Sequence, residues 1–371
     1  MLGPHRTAGP VLVAAALALA ACLPSGARAQ AQRPPEQLDG AAILHGLHEL
    51  EVVGSALYIA AHPDDENTRL ITWLSQGRQV RTAYLSLTRG DGGQNLIGPE
   101  LGDALGVLRT QELLEARRID GGEQFFTRAV DFGYSKRAEE SFAKWGRQEV
   151  LGDVVRVIRQ FRPDVIITRF APEATGTHGH HTASALLASE AFALAADPAA
   201  FPEQLADGLQ TWQAKRLFFN ASTWWRPDLE QLAGQEPGRW VKLDVGGFDP
   251  LLGASYTEIA GRSRSQHKSQ GFGAAETRGE QVEYLRLDQG AQLAGPDLFD
   301  GIELGWSRVE GGSRVQALLR ALIDGYDLRA PERSLPGLAG VARALDELAA
   351  SSAPERDRAR FQARAARELV L

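Results

Sequence analysis

Short apolar runs and amphipathic stretches alternate from Ala56 onward, and their periods assign the elements. Residues 56–61 form an unbroken apolar run of strand length, the pattern of a strand covered on both faces. Residues 67–76 follow a helical period that Gly77 stops, residues 80–87 return to a strand, and residues 105–119 make a helix ended by Gly121-Gly122. An amphipathic stretch over 150–161 halts at Arg162-Pro163. The strand 165–168 follows, and then an Ala-rich helix over 182–196. Strand, helix, strand, helix with short links predicts an α/β fold: a Rossmann-like, doubly wound, mostly parallel sheet with helices on both faces. Past Pro198 the pattern is less regular, with strands at 216–220 and 240–245 and a helix at 255–265. From Ser313 to the end the period is helical, with Val315, Leu318, Leu319, Leu322 and Ile323 on one face. That predicts a C-terminal helical segment, and its last residues 368–371 lack a Gly cap or polar tail, the pattern of a chain that continues.

The N-terminus changes the compartment. Arg6 precedes an apolar run over 11–21, then small residues and a polar stretch containing proline. That predicts a signal peptide over 1–29, since the run is too short for a comfortable membrane span. Two processing readings compete. Ala27-Arg28-Ala29 before Gln30 fits small-x-small cleavage, whereas Leu19-Ala20-Ala21-Cys22 resembles a bacterial lipobox that would lipidate Cys22. Either way the protein is exported, as a periplasmic, cell-surface or secreted protein. Cys22 is the only cysteine, so no disulfide forms within the chain. A net charge of -7 and the lack of a long basic run argue against nucleic acid or anionic membrane as partners. Membrane contact is expected only through a lipid on Cys22.

The candidate chemistry lies at the ends of the predicted strands. His62-Pro63-Asp64-Asp65-Glu66 follows the first strand, and Thr177-His178-Gly179-His180-His181 follows the strand 165–168. In an open parallel sheet, ligands bind in the crevice at the carboxyl ends of strands. Imidazoles and carboxylates converging there suit a cation with nitrogen and oxygen ligands and one open position. The carboxylates alone would read as helix caps, and the histidines alone as a polar loop. Two such clusters at equivalent topological positions favour the metal.

These residues resemble the PIG-L/LmbE-like family of N-acetylglucosaminyl de-N-acetylases. Ala60-Ala61-His62-Pro63-Asp64-Asp65-Glu66 looks like its first motif and His178-x-x-His181 like its second. Arg109-Thr110-Gln111-Glu112 and His267-Lys268-Ser269-Gln270 resemble weaker signatures. The resemblance implies zinc, with iron(II) as the alternative, bound by His62, Asp65 and His181. It implies Asp64 as general base for the attacking water, and His178 to polarise the carbonyl or protonate the leaving amine. The implied substrate is an amino sugar or glycoconjugate that loses an N-acetyl group. The resemblance divides the chain into a linker at 30–50, a deacetylase domain at 51–290 and a C-terminal helical region at 291–371. One departure stands out: the family's His-Pro-Asp-His reads His178-Gly179-His180-His181 here, which leaves the partner of His178 open.

Arg89, Asp91, Arg109, His180 and His267 are the expected substrate contacts. Trp224-Trp225 offers rings for sugar stacking, though packing is the commoner fate of such aromatics. His45 and His48 precede the predicted fold and read as surface residues. Two other functions fit the same residues: an amidase acting on a related amino-sugar conjugate, and a non-catalytic carbohydrate-binding surface protein. A phosphoesterase would carry more carboxylates for a second metal. Mass spectrometry of the mature N-terminus tests the leader. A lipidated Cys22 or a free Gln30 is the expected result, and an intact Met1 would refute export.

Overall fold

Strand β1 (Ser55–Ala60) is buried at every position because it has parallel partners on both sides. β2 (Arg81–Ser86) lies against one edge and β4 (Val165–Thr168) against the other. β3 (Glu123–Phe126) extends the parallel run beyond β2, and β5 (Arg216–Ala221) extends it beyond β4. β9 (Val282–Gly290) then pairs antiparallel with β5, and β6 (Trp240–Asp244) closes the edge antiparallel to β9. The computed structural model describes residues 38–173 and 177–350, together with 362, 363 and 366. Among these residues the order β3-β2-β1-β4-β5-β9-β6 makes a seven-stranded, mostly parallel sheet. A two-residue ribbon, β7 (Phe248–Asp249) with β8 (Ala254–Ser255), stands apart. The leader, Cys22 and residues 30–37 lie outside the described residues.

Side chains alternate across β1 and give the sheet two apolar faces. Leu57 and Ile59 join Val154, Val155 and Ile158 of α5 (Arg147–Phe161), with Leu187 and Ala188 of α6 (Gly179–Leu194). α4 (Ala138–Trp145) packs beside them. Ala56, Tyr58 and Ala60 face the other way, onto Leu70 and Ile71 of α2 (Thr68–Thr72) and Leu113 of α3 (Asp103–Asp120). Helices on both faces make the fold doubly wound. α7 (Pro202–Ala206) and α8 (Leu229–Gln235) are short, and α9 (Tyr256–Arg264) packs on α2 and α3 behind a capping box at Ser255.

The chain differs from its sequence pattern in several places. Residues 40–50, expected as linker, begin α1 (Gly40–Glu51) and belong to the same unit as the sheet. Leu47 and Leu50 pack against α10 (Ser313–Asp324) and α11 (Leu335–Ala350), so α1 completes a third apolar cluster. His45 is accordingly buried, with its Nε2 3.1 Å from the carbonyl of Gln76. His48 is half-buried and pairs with Glu51 at 3.6 Å. The C-terminal helical period is broken after Asp324 and resumes at Leu335. Of its predicted face, Val315 and Leu319 are buried and Leu318, Leu322 and Ile323 are partly buried. No helix among the described residues is long and apolar enough to cross a membrane.

Trp306 joins the helical cluster to the rest. It is fully buried, and its indole N–H donates to the carbonyl of Leu50 at 2.7 Å. Trp306→Ala would remove both the packing and the bond, and should cost about 3–5 kcal/mol in urea unfolding. A loss below about 1 kcal/mol would mean that the site collapses without penalty.

Candidate metal centre

The strand order reverses between β1 and β4, which opens a crevice at their carboxyl ends. The loop leaving β1 carries His62, Asp64 and Asp65. The chain leaving β4 enters α6 with His178, His180 and His181. Both sequence clusters therefore meet at one edge of the sheet.

Asp65 joins them. Its Oδ2 accepts from the His62 backbone N–H at 2.8 Å and lies 3.0 Å from His62 Nδ1, while its Oδ1 lies 3.4 Å from His181 Nε2. One donor atom from each of His62, Asp65 and His181 falls within 4.8 Å of the others. Ligands about 2.0–2.2 Å from a tetrahedral zinc stand about 3.3–3.6 Å apart, and Asp65 lies near that distance from both histidines, at 3.0 Å and 3.4 Å. Two imidazoles and a carboxylate suit zinc or iron(II). Burial pushes the His181 imidazole down to about 4, against the pull of Asp65, which leaves the ring neutral as a ligand must be. The Phe170 ring stacks on His181 at 3.8 Å and holds its plane.

Asp64 stands beside this group in a strained conformation. Its φ of 94° is rare for a residue with a side chain. Three contacts hold it there. Its N–H donates to Glu66 Oε2 at 2.9 Å, its carbonyl accepts from Arg264, and its Oδ1 lies 3.1 Å from Arg109 Nη2. Burial raises the Asp64 carboxyl above its ordinary range, opposed by Arg109. Glu66 itself is buried, bonded to His267 Nε2 at 2.7 Å and facing Arg117 at 3.4 Å.

The second cluster is set by α6. Gly179 is required, because a Cβ there would lie 2.3 Å from the carbonyl of Arg137. His178 is the N-cap, and its Nδ1 accepts from the His180 backbone N–H at 3.2 Å. A backbone N–H can only donate, so the neutral His178 ring carries its proton on Nε2. Burial and the nearby His62 and His180 rings push His178 down to about 3. His180 is fully buried between Phe132 and Trp145, each 4.5 Å away by ring centres, with Nδ1 2.6 Å from Ser141 Oγ. Its Nε2 lies 3.4 Å from Asp131 Oδ1, and the other Asp131 oxygen lies 3.8 Å from His62 Nε2. Asp131 was not found by sequence reasoning, since no local motif marks it.

A cleft of about 330 Å³ opens beside the donor group, lined by Asp64, Asp65, Phe170, His181, Trp225 and Arg264 among others. The expected substrate contacts fall elsewhere. Arg109 and His267 are buried behind the first motif, holding Pro63, Gly90 and Glu66, and His180 is buried behind the second. Arg89 lies over the Phe126 ring at 4.0 Å and donates to Thr110, and Asp91 packs against Gly106 of α3. Neither of these two lines the cleft.

Residues 57–192 match a family described as PIG-L: GlcNAc-PI de-N-acetylase. A 1D-myo-inositol 2-acetamido-2-deoxy-alpha-D-glucopyranoside deacetylase of Streptomyces avermitilis is 28% identical over 44% of this chain and 60% of its own length. The protein of that name from Streptomyces scabiei is 29% identical over 72% of this chain and 89% of its own. The chain thus spans less than two thirds of the first relative and most of the second. Among solved structures, the N,N'-diacetylchitobiose deacetylase of Pyrococcus horikoshii is 20% identical over 58% of this chain and 70% of its own, with a TM-score of 0.42. Residues 57–192 thus match the PIG-L de-N-acetylase family model, and the relatives that resemble the chain over this part and beyond carry deacetylase names.

Proposed function

We propose that this chain is a zinc-dependent hydrolase that removes the N-acetyl group from an N-acetylglucosamine-like glycoconjugate. The observation that carries the reading is the separation of roles at the first motif. Asp65 belongs to the group that can hold the metal, while Asp64 stands next to it and lines the cleft. Zinc, when bound, polarises the amide carbonyl and lowers the pKa of a water it holds to about 7.

The residues of the chain do the rest. Asp64, its carboxyl raised above the ordinary range by desolvation, takes the proton of the attacking water. The Arg109 guanidinium fixes its carboxylate, and the bonds to Glu66 and Arg264 hold its backbone, so the base is aimed before substrate arrives. His178, neutral with its proton on Nε2, donates a hydrogen bond to the developing oxyanion rather than serving as an imidazolium. Asp64 then carries the proton that the departing amine requires. The leader at the N-terminus supports work outside the cytoplasm, and the names of the relatives support an amino-sugar substrate.

Asparagine variants of the adjacent aspartates separate the two roles. Asp65→Asn exchanges an anionic ligand for a neutral amide, so zinc and acetate release from N-acetylated sugars should be lost together. Asp64→Asn should keep close to one zinc while turnover falls about a hundred- to ten-thousand-fold. Metal analysis with an acetate assay checks both. Zinc loss in Asp64→Asn with retention in Asp65→Asn would exchange the assignments. Wild-type protein that binds zinc and frees no acetate from any N-acetylated sugar would end the deacetylase reading.

A further inference from the structure

The cleft beside the metal group is lined by three guanidinium groups, those of Arg69, Arg169 and Arg264, and by the indoles of Trp224 and Trp225. Four carboxylates share it, and each is engaged. Asp64 faces Arg109, Asp65 joins His62 to His181, Glu66 is held by His267, and Glu283 accepts from Asn220 Nδ2 at 3.1 Å. Arg264 donates to the Asp64 carbonyl and lies over Phe272 at 3.9 Å.

Arg169 and Arg69 are different. Arg169 follows β4 directly, one residue before the Phe170 that stacks on His181. It is half-buried, and its guanidinium carbon lies 4.7 Å from the centre of the Trp225 ring. Its side chain makes no hydrogen bond and no ion pair among the described residues, and neither does that of Arg69, exposed on α2. A guanidinium presents five donors in a planar fork that matches a carboxylate or phosphate, and stacking on an aromatic ring fixes that plane. At the same cleft Trp224 is 84% exposed and Trp225 46%, with ring centres 6.1 Å apart. So much aromatic surface at the rim of a polar cleft offers a platform for the apolar face of a sugar ring.

We propose that this cleft takes an acidic glycan, with a sugar ring on Trp224 and Trp225 and a carboxylate or phosphate of the ligand held by Arg169 and Arg69. The proposal rests on the deacetylase reading only in placing the N-acetylated sugar at Asp64, and the binding itself is measured without turnover.

The test is calorimetric binding to the zinc-loaded full chain, with matched probes. Tri-N-acetylchitotriose is set against a hyaluronan tetrasaccharide for the carboxylate, and N-acetylglucosamine against its 1-phosphate for the phosphate. At least one acidic probe should bind about tenfold or more tighter than its neutral counterpart, and which one does identifies the anion. Arg169→Gln should remove most of that preference. Arg69→Gln, at an exposed position, should weaken it and reduce its dependence on salt, which keeps the test informative if Arg169→Gln is unstable. Equal binding of both members of each pair would overturn the proposal. So would a preference that survives the double substitution in folded protein. Acetate release is assayed separately. A preference for acid without acetate release supports this proposal and sinks the deacetylase reading, whereas acetate release without the preference does the reverse.

Discussion

β1 and β4 lie in parallel register from Ala56 against Val165 to Ile59 against Thr168. Parallel neighbours release their chains at the same edge of a sheet, so the loops after Ala60 and Thr168 emerge side by side. β1 continues the chain toward β2 on one flank, while β4 continues it toward β5 on the other. The connections diverge, and the space between them is the crevice. The candidate metal group needs this arrangement, because His62 and Asp65 come from one loop and His181 from the other. The closure is short-range. Asp65 uses one oxygen on each side, at 3.0 Å and 3.4 Å, and so reports that the two loops are in contact distance. An antiparallel pairing would have sent the second loop to the opposite end of the sheet, roughly 13–20 Å away for strands of this length.

Behind the crevice, buried charges keep a strained Asp64 in place. A left-handed aspartate costs on the order of 1–3 kcal/mol and persists only where its surroundings fix it from several sides. Glu66 supplies one of the contacts that fix it, accepting the Asp64 N–H at 2.9 Å. Burial would raise its carboxyl, but His267 and Arg117 hold it down at about 2. Arg117 is tied in turn to Asp120 at 2.5 Å, and Asp120 accepts from Ser263 of α9 at 2.6 Å. The weak downstream signature around His267 thus acts through Glu66 rather than at the substrate. Removing one partner from such a network leaves the others buried and unpaired, which is costlier than losing an exposed pair.

The parallel half of the fold was legible because its strands are covered on both faces, and continuous apolar runs such as 56–61 and 165–168 have no other use. β3 and β9 were not legible for two reasons. β3 has four residues, all partly exposed, and β9 mixes charged with apolar positions because it lies near the sheet's edge. α1 escaped notice because its partners, α10 and α11, lie about 270 and about 300 residues further along the chain. In the site, the residues on the two motif loops were readable from their place after strands. Burial was not, and burial is what withdrew Arg109, His180 and His267 from the cleft. Trp224 and Trp225 showed the opposite error: tandem aromatics suggest packing, yet these stand exposed at the rim.

The departure in the second motif has a physical resolution in three dimensions. The chain has His180 where a carboxylate was expected, and a histidine there cannot offer His178 a negative partner. Instead the ring turns inward, between Phe132 and Trp145, with Ser135 and Ser141 on its Nδ1. Ser135 also reaches His178 Nδ1 at 3.2 Å, so one hydroxyl ties the two imidazoles together. The carboxylate is supplied from the loop after β3. Burial would raise Asp131, but contact with His180 and the charge of His62 hold it at about 2. Negative charge therefore stands beside the His62 and His180 rings, on a residue roughly 50 positions before His180. A linear motif registers the loss and not the replacement. Ser135 and Ser141 meet the buried His180 ring at Nδ1, while on the other side Asp131 faces Nε2 at 3.4 Å as a charge partner and not as a hydrogen-bond acceptor.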